Sequence, residues 1–292
     1  MMMDYGYAVK IETATRQLCK GQDYVEHGHG VDVESGEEFD WVILNDGHGS
    51  NSCIRFIRDI PIEKKAKLMG TADPVEAFVL HIDSSGCVEQ YESSGATVVI
   101  VKFYSKYAIC FSSGDSQVAV FKDRKLEYLS KEHNCHNAEE VTRMTNMGFK
   151  VSTDRNTNSK MVSKNQLVVT DSVHMAFPGK NDDGRRLACT QALGHNSLTG
   201  YAPERKCIIY EPGSSYRFVL GSDGFMDMHM WNSSEDIEEI LTKTAQQLCG
   251  KAAGRWMQTW EVTHPDGKVE FNRYSDDMYD DVAVIVADVT PI

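Results

Sequence analysis

Short apolar runs alternate along the chain with polar clusters that favour turns. Runs at 41–44, 96–103, 107–111, 118–121, 218–220 and 282–287 are rich in Val, Ile, Phe and Tyr and bounded by Gly, Ser, Asp and Lys, the pattern of β-strands. From Thr97 to Leu129 the connections are too short for parallel crossovers, which predicts consecutive antiparallel strands in a meander. Apolar residues recur at three- and four-residue spacing over 51–60, 74–83, 138–147 and 234–250, which predicts helices. In the last of these Ile237, Ile240, Leu241, Ala245 and Leu248 form one stripe, with acidic residues in the first turns and Gly250 near the end. Strands and helices in separate groups predict an α+β fold, a sheet sandwich flanked by helices. Residues 150–186 are polar and turn-rich apart from "LVVTDSVHMAF", and we read them as a surface excursion of a single domain spanning 1–292.

Composition narrows the classes of function. The 43 acidic residues outnumber 30 basic ones, for a net charge of -13, which disfavours a general nucleic-acid-binding role but leaves room for a local basic pocket. No apolar run approaches the roughly 20 residues that span a bilayer. The opening residues hold no basic segment followed by an apolar core, so we expect no secretory leader and an intracellular protein, cytoplasmic or nuclear. The eight cysteines are scattered singly, with no C-x-x-C pair, which predicts reduced thiols rather than a disulfide framework. His133, Cys135 and His136 lie close in sequence but lack the second ligand pair of a structural zinc site.

Three of the predicted strands carry acid at an end. "WVILNDGHGS" runs into Asp46-Gly47-His48-Gly49, "YRFVLGSDGFMD" into Asp223-Gly224, and "YDDVAVIV" sets Asp280 and Asp281 just before Val282. One Asp-Gly after a strand is an ordinary turn, and three independent turns are the plain alternative. If the strands share a sandwich, however, the carboxylates converge, and only protons or cations can offset their repulsion. Hard ions such as Mg²⁺ and Mn²⁺ accept such oxygen ligands together with water and carbonyl groups.

In order, "WVILNDGHGS", "SSGATVVIV", "ICFSSGDSQVAVF", "LACTQALG", "VLGSDGFMD" and "DDVAVIVADV" resemble the motifs of the metal-dependent type 2C protein serine/threonine phosphatases, from about residue 20 to 288. The resemblance implies a β-sandwich of two antiparallel sheets with helices on both outer faces, and a binuclear Mg²⁺ or Mn²⁺ centre at one end. It implies that Asp46 bridges the two ions, that Gly47 offers its carbonyl, and that Asp223 and Asp280 complete the set. Asp23, in "KGQDY", would hold metal-bound water, and Asp227 and Asp115 match a third, weaker metal position. A metal-bridging hydroxide would attack phosphorus in line, with His48 as proton donor to the leaving serine or threonine oxygen.

Departures from the motifs carry their own expectations. Leu18 stands where family members often place a phosphate-gripping Arg, leaving Arg16 and Lys20 as candidate substrate-binding residues. Gln117 replaces the Arg of Gly-Asp-Ser-Arg, Thr190-Gln191 replaces Ser-Arg, and His195 replaces an Asp. Asp281 replaces an Asn and is expected to add negative charge near the ions. We therefore expect a monomeric phosphatase acting on phosphoprotein substrates, with no nucleic-acid or membrane partner. The alternative is a catalytically weak pseudophosphatase that binds a phosphoprotein or regulates a partner. Lost Arg at position 18 favours that alternative, and the retained Asp46, Asp223 and Asp280 oppose it.

Overall fold

Trp41, Val42, Ile43 and Leu44 are all buried, yet they serve two different cores. Side chains alternate across a strand, so Trp41 and Ile43 face outward against helices while Val42 and Leu44 face inward toward a second sheet. The strand near the C-terminus repeats this: Val282, Val284 and Val286 face outward, and Ala283, Ile285 and Ala287 inward. Strands buried on both faces read as continuous apolar runs, which is why these segments lack a hydrophobic–polar alternation.

The structure is a computed structural model that describes residues 6–85, 93–152, 157–171, 174–176, 186–187, 189–195 and 200–292. One sheet has five strands in the order β1 (Tyr7–Arg16), β19 (Val282–Pro291), β16 (Tyr216–Gly221), β7 (Gln117–Lys122) and β8 (Lys125–Leu129). The facing sheet runs β14 (Leu193–Gly194), β4 (Ser94–Ala96), β3 (Glu38–Gly49), β5 (Val98–Phe103), β6 (Tyr107–Ser113) and β15 (Glu204–Ile209), with β2 (Asp23–Val31) also paired to β3. The pairings within both sheets are antiparallel. Between them Val42, Leu44, Val99 and Val101 pack against Val118, Phe218, Leu220 and Ile285.

Helices cover both outer faces, giving the four layers expected. On the β3 side α1 (Ser52–Asp59), α2 (Ile62–Met69) and α3 (Pro74–Asp83) bring Ile54, Ile57 and Phe78 onto Trp41 and Ile43. On the β19 side α6 (Ser234–Thr242) and α7 (Ala245–Met257) bring Ile240, Leu248 and Trp256 onto Val284 and Val286. Among the described residues α4 (Ala138–Asn146) and the short α5 (Asp223–Met226) complete the α-helices.

Two expectations are corrected. The run from Thr97 to Leu129 is not one meander: β5 and β6 pair in one sheet, β7 and β8 in the other, and the chain changes sheets at Gly114-Asp115-Ser116. Gly114 turns there at φ 108°, with Thr97 so close that a β-carbon would meet it at 2.7 Å. The helix expected over 234–250 is two helices. Lys243 and Thr244 are extended, and the Thr244 side chain accepts from Gln247 N to start α7 with a capping box.

Of the excursion at 150–186, residues 153–156, 172–173 and 177–185 lie outside the described residues. Its described part is largely strand. β10 (Thr157–Ser163) and β11 (Gln166–Asp171) join β17 (Thr259–Thr263) and β18 (Val269–Arg273) in a four-stranded sheet, and β9 (Lys150–Ser152), β12 (His174–Ala176) and β13 (Arg186–Leu187) form another. Leu167 and Val169 bury against the same core as α7, so this part of the excursion is packed. The described cysteines are all free thiols, as expected. Among the described residues no helix is long and apolar enough to cross a membrane.

Candidate functional site

Asp46-Gly47-His48-Gly49 is not a turn. β3 continues through it, pairing Gly47 with Ala96 and His48 with Gly95, so the acid is held in a strand rather than at the tip of a loop. Thr97 clamps the Asp46 backbone from both sides: its N–H donates to Asp46 O at 2.8 Å, and its Oγ1 accepts from Asp46 N at 3.1 Å. Asn45 beside it is fully buried and donates to Thr97 O at 2.8 Å. Asp23, on β2, is the direct cross-strand partner of Asp46.

The facing sheet supplies the rest. Asp223 opens α5 directly after β16, and Asp280 precedes β19, whose Val284 pairs with Gly221 of β16. Ser222 ties the two sheets together. Its hydroxyl donates to Asp23 Oδ2 at 2.9 Å and accepts from Ala283 N at 3.0 Å. Gly224 is required by this closeness, because a β-carbon there would lie 2.1 Å from Asp281 O and 3.1 Å from Asp280 Cβ. Asp115 sits in the link where the chain changes sheets.

These carboxyls crowd one another electrostatically. Asp46 is held well above the usual carboxylate range, first by desolvation and then by Asp223, Asp23 and Asp280. Asp23 is raised by its burial and by Asp223, Asp280 and Asp281, despite the Ser222 hydrogen bond. Asp115 is raised by burial and then Asp223. Asp280 is pushed up to about 8 by desolvation and Asp223, while Lys20 pulls it down. Asp227 is pushed up to about 7 by desolvation, then by Asp223 and Glu132; its carboxyl is exposed, so water screens part of that push. Asp223 is the common neighbour: its charge acts on Asp23, Asp46 and Asp280 and also on Asp115 and Asp227.

That group fits hard divalent cations. Asp23 Oδ1 and Gln22 Oε1 are buried acceptors without a hydrogen-bond partner, and the neighbouring carboxyls want positive charge. Among the described residues no three Asp, Glu, His or Cys side chains form a ready-made metal cage. Mg²⁺ needs none, since it usually keeps several waters and takes one or two carboxylates.

His48 is half-buried, its ring 4.9 Å from that of His195 and its Nε2 3.5 Å from Cys189 Sγ. Burial, then His195 and Lys20, push it down to about 3. The two cationic candidates separate. Lys20 sits between Cys19 and Gln22, whose N–H groups bond Asp281 next to Asp280, and its charge acts on both His48 and Asp280. Arg16 lies two residues beyond Ala14 on the outer face of β1, and its charge acts on Cys249 instead. Leu18 packs against that same outer core.

Four residues take parts that sequence reasoning missed. Asp281 holds backbone as well as adding charge: it accepts from Leu18 N at 2.7 Å, Cys19 N at 2.9 Å and Gln22 N at 2.8 Å. The expected negative charge is still felt there, since Asp281 raises both Asp23 and Asp280, but the backbone-holding part is new, and only the tertiary approach of 18–22 to β19 could reveal it. Thr190 and Gln191, replacing Ser-Arg, bond Glu140 at 2.5 and 3.0 Å, and Glu140 pairs with Arg143 at 2.8 Å. The motif's lost guanidinium is thus replaced by a buried polar network. Gln117 donates to Ser130 O at 2.6 Å, a structural role. The zinc possibility also closes: His133 Nδ1 bonds Gly114 O at 3.0 Å and Cys135 packs with Met144 and Phe149.

The sequence profile of the family described as "Protein phosphatase 2C" matches residues 71–246. Asp115, Asp223 and Asp227 fall inside that stretch, and Asp23, Asp46 and Asp280 outside it. No curated protein matches the chain in sequence. Among solved structures, a C. elegans sex determining protein has a TM-score of 0.63 at 16% identity, the match covering 97% of this chain and 65% of that one. The chain therefore spans less than two thirds of that relative. The S. agalactiae serine/threonine phosphatase has a TM-score of 0.51 at 15% identity, covering 96% and 99% of the two chains. The M. tuberculosis serine/threonine phosphatase PstP/Ppp has 0.52 at 16%, covering 97% and 98%. At these identities the likenesses establish the fold.

Proposed function

Because the chain belongs to the protein phosphatase 2C family, we propose that it is a divalent-metal-dependent hydrolase of phosphoserine and phosphothreonine in phosphoproteins. The observation that carries this reading is the meeting of Asp23 and Asp46 from one sheet with Asp223 and Asp280 from the other, where burial and the neighbouring charges, that of Asp223 foremost, hold Asp23, Asp46 and Asp280 above the usual carboxylate range. Such an arrangement is costly without cations, and a fold that keeps it has a use for them.

Asp46, the Gly47 carbonyl, Asp223 and Asp280 would hold two Mg²⁺ or Mn²⁺ ions, and Asp115 and Asp227 a third, weaker one. When bound, such ions supply Lewis-acid polarisation of the phosphoryl group and activate water near neutral pH. Asp23, fixed by Ser222 through one oxygen, keeps its other oxygen to accept from water. Lys20 is the cation that meets the phosphoryl group, as a point charge rather than a fork; Arg16 has no such part. His48 donates to the leaving oxygen. Its neutral state reflects burial and neighbouring cationic or neutral groups, and an arriving phosphate dianion raises an imidazole pKa, the direction a proton donor needs.

A second reading, a phosphoprotein-binding module with weak catalysis, draws on Leu18 packing into the core where a guanidinium would grip phosphate. Hydrolysis of a phosphothreonine peptide with Mn²⁺, with Mg²⁺ and with chelator separates the two. Asp223→Asn should lower metal-dependent turnover by at least about a hundredfold. A folded wild-type protein that binds Mn²⁺ yet shows no turnover would leave the binding module standing.

A further inference from the structure

The segment Leu18-Cys19-Lys20-Gly21-Gln22 spans the gap between the two sheets at the site end. On one side its backbone is gripped by Asp281, whose Oδ1 takes the N–H groups of Leu18 and Cys19 and whose Oδ2 takes that of Gln22. On the other side Gln22 O accepts from Gly47 N at 3.1 Å, and Gln22 Nε2 donates to Gly49 O at 3.0 Å and to Asn51 Oδ1 at 2.6 Å. Gly21 takes the left-handed φ of 68° that lets the segment curl around the carboxylate. Asp281 is 3% exposed and Lys20, at the crest of the curl, is exposed. Three N–H groups satisfy Asp281, so it is not a spare acid for cations.

We propose that Asp281 is a positioning residue that fixes the 18–22 segment so that Lys20 faces the phosphoryl site, and that this pair stands in for the guanidinium absent at Leu18. The proposal deepens the phosphatase reading and rests on it. Chemistry at the three amides requires a carboxylate. An Asn in the same place offers one acceptor oxygen and turns an NH₂ donor toward either Gln22 N–H or the Leu18 and Cys19 pair, leaving a buried donor unpaired. The segment then loosens, and the ammonium it carries is no longer held toward Asp280 and His48.

The test compares wild type, Asp281→Asn, Lys20→Met, Lys20→Arg and the Asp281→Asn/Lys20→Met double variant in full-length protein with Mn²⁺. Amide exchange at Leu18, Cys19 and Gln22 reports the grip without reference to catalysis. Asp281→Asn should speed it about tenfold. Inorganic phosphate binding and the KM for a phosphothreonine peptide report Lys20. Each single variant should weaken both about three- to tenfold with kcat changed far less, Lys20→Arg should restore most of the loss, and the double variant should be no worse than the worse single one. Multiplying effects in the double variant, or unchanged amide exchange in Asp281→Asn, overturn the proposal. Because Lys20 is exposed, its variants keep the question open to refutation if Asp281→Asn does not fold: phosphate binding that ignores Lys20→Met overturns it alone. Turnover that ignores Lys20 sinks the proposal and leaves the phosphatase reading intact. Phosphate binding that depends on both residues in a protein without turnover does the reverse.

Discussion

At the scale of single residues, the site is defined as much by what will not fit as by the acids themselves. Asp46, Asp223 and Asp280 were legible in the sequence because each follows or precedes an apolar run in a recognisable motif. Asp281 was not, since an acid beside another acid looks like more of the same until its three amide partners arrive from 259 to 263 residues away. Gly224 makes the constraint measurable. Its missing side chain is what lets α5 approach the start of β19, with Asp281 O only 2.1 Å from where a β-carbon would be. Backbone rather than a flexible side chain blocks that space, so Gly224→Ala should lower stability in urea by about 1–3 kcal/mol. It should also weaken Mn²⁺ binding, because Asp223 and Asp280 move apart. An unchanged urea midpoint would show that α5 and the start of β19 have room for a β-carbon between them.

At the scale of elements, the sequence pattern decides where period rules and fails where tertiary partners do. Strands buried on both faces and the helix α3, with its Asp73 cap and Pro74, follow from local pattern. The break between α6 and α7 does not, because the apolar stripe from Ile237 to Leu248 continues in register across it. What breaks the helix is a partner: the Arg217 guanidinium bonds the carbonyls of Ile240 and Lys243, consuming the last acceptors of α6. The two helices are then rejoined by charge. Asp236, fully buried in α6, takes Arg255 of α7 at 2.8 and 3.0 Å and Lys251 at 2.9 Å, and its carboxyl is held well below the usual range despite burial, by Arg255, Met230 N and Lys251. Removing one member of such a network leaves buried charge uncompensated. Asp236→Ala should therefore cost about 3–5 kcal/mol, whereas Thr244→Ala, which removes only the cap of α7, should cost about 1 kcal/mol. Equal losses in thermal unfolding would mean that the pairing adds nothing beyond the cap.

For the whole molecule, the question is what holds two sheets together at an end where both present acid. The central core of Val42, Leu44, Phe218 and Ile285 closes the sandwich elsewhere, and Ser222 and the 18–22 segment bridge the acidic end. Without cations the remaining compensation is protonation, which makes stability depend on pH in a definite direction. Asp280 titrates near 8 when folded, against an ordinary value of 3.8, so at intermediate pH the folded protein holds a proton that the unfolded chain has released. That stabilising proton is fully present below about 4 and is lost as pH rises through 8. His48 and His229, pushed down to about 3 and 4, act with the opposite sign, but only below the ordinary histidine value of 6.5. Between about pH 7 and 8.5 they are silent, and the carboxyl cluster decides. In chelator, Tm should fall across that interval, and Asp280→Asn should fall less steeply. Saturating Mn²⁺ competes with the proton and binds only the folded arrangement, so the increment it adds to Tm should widen toward pH 8.5. A chelated protein whose Tm is flat or rises over the same interval would show that the acidic end is not under this strain, and the case for cations there would lose its physical basis.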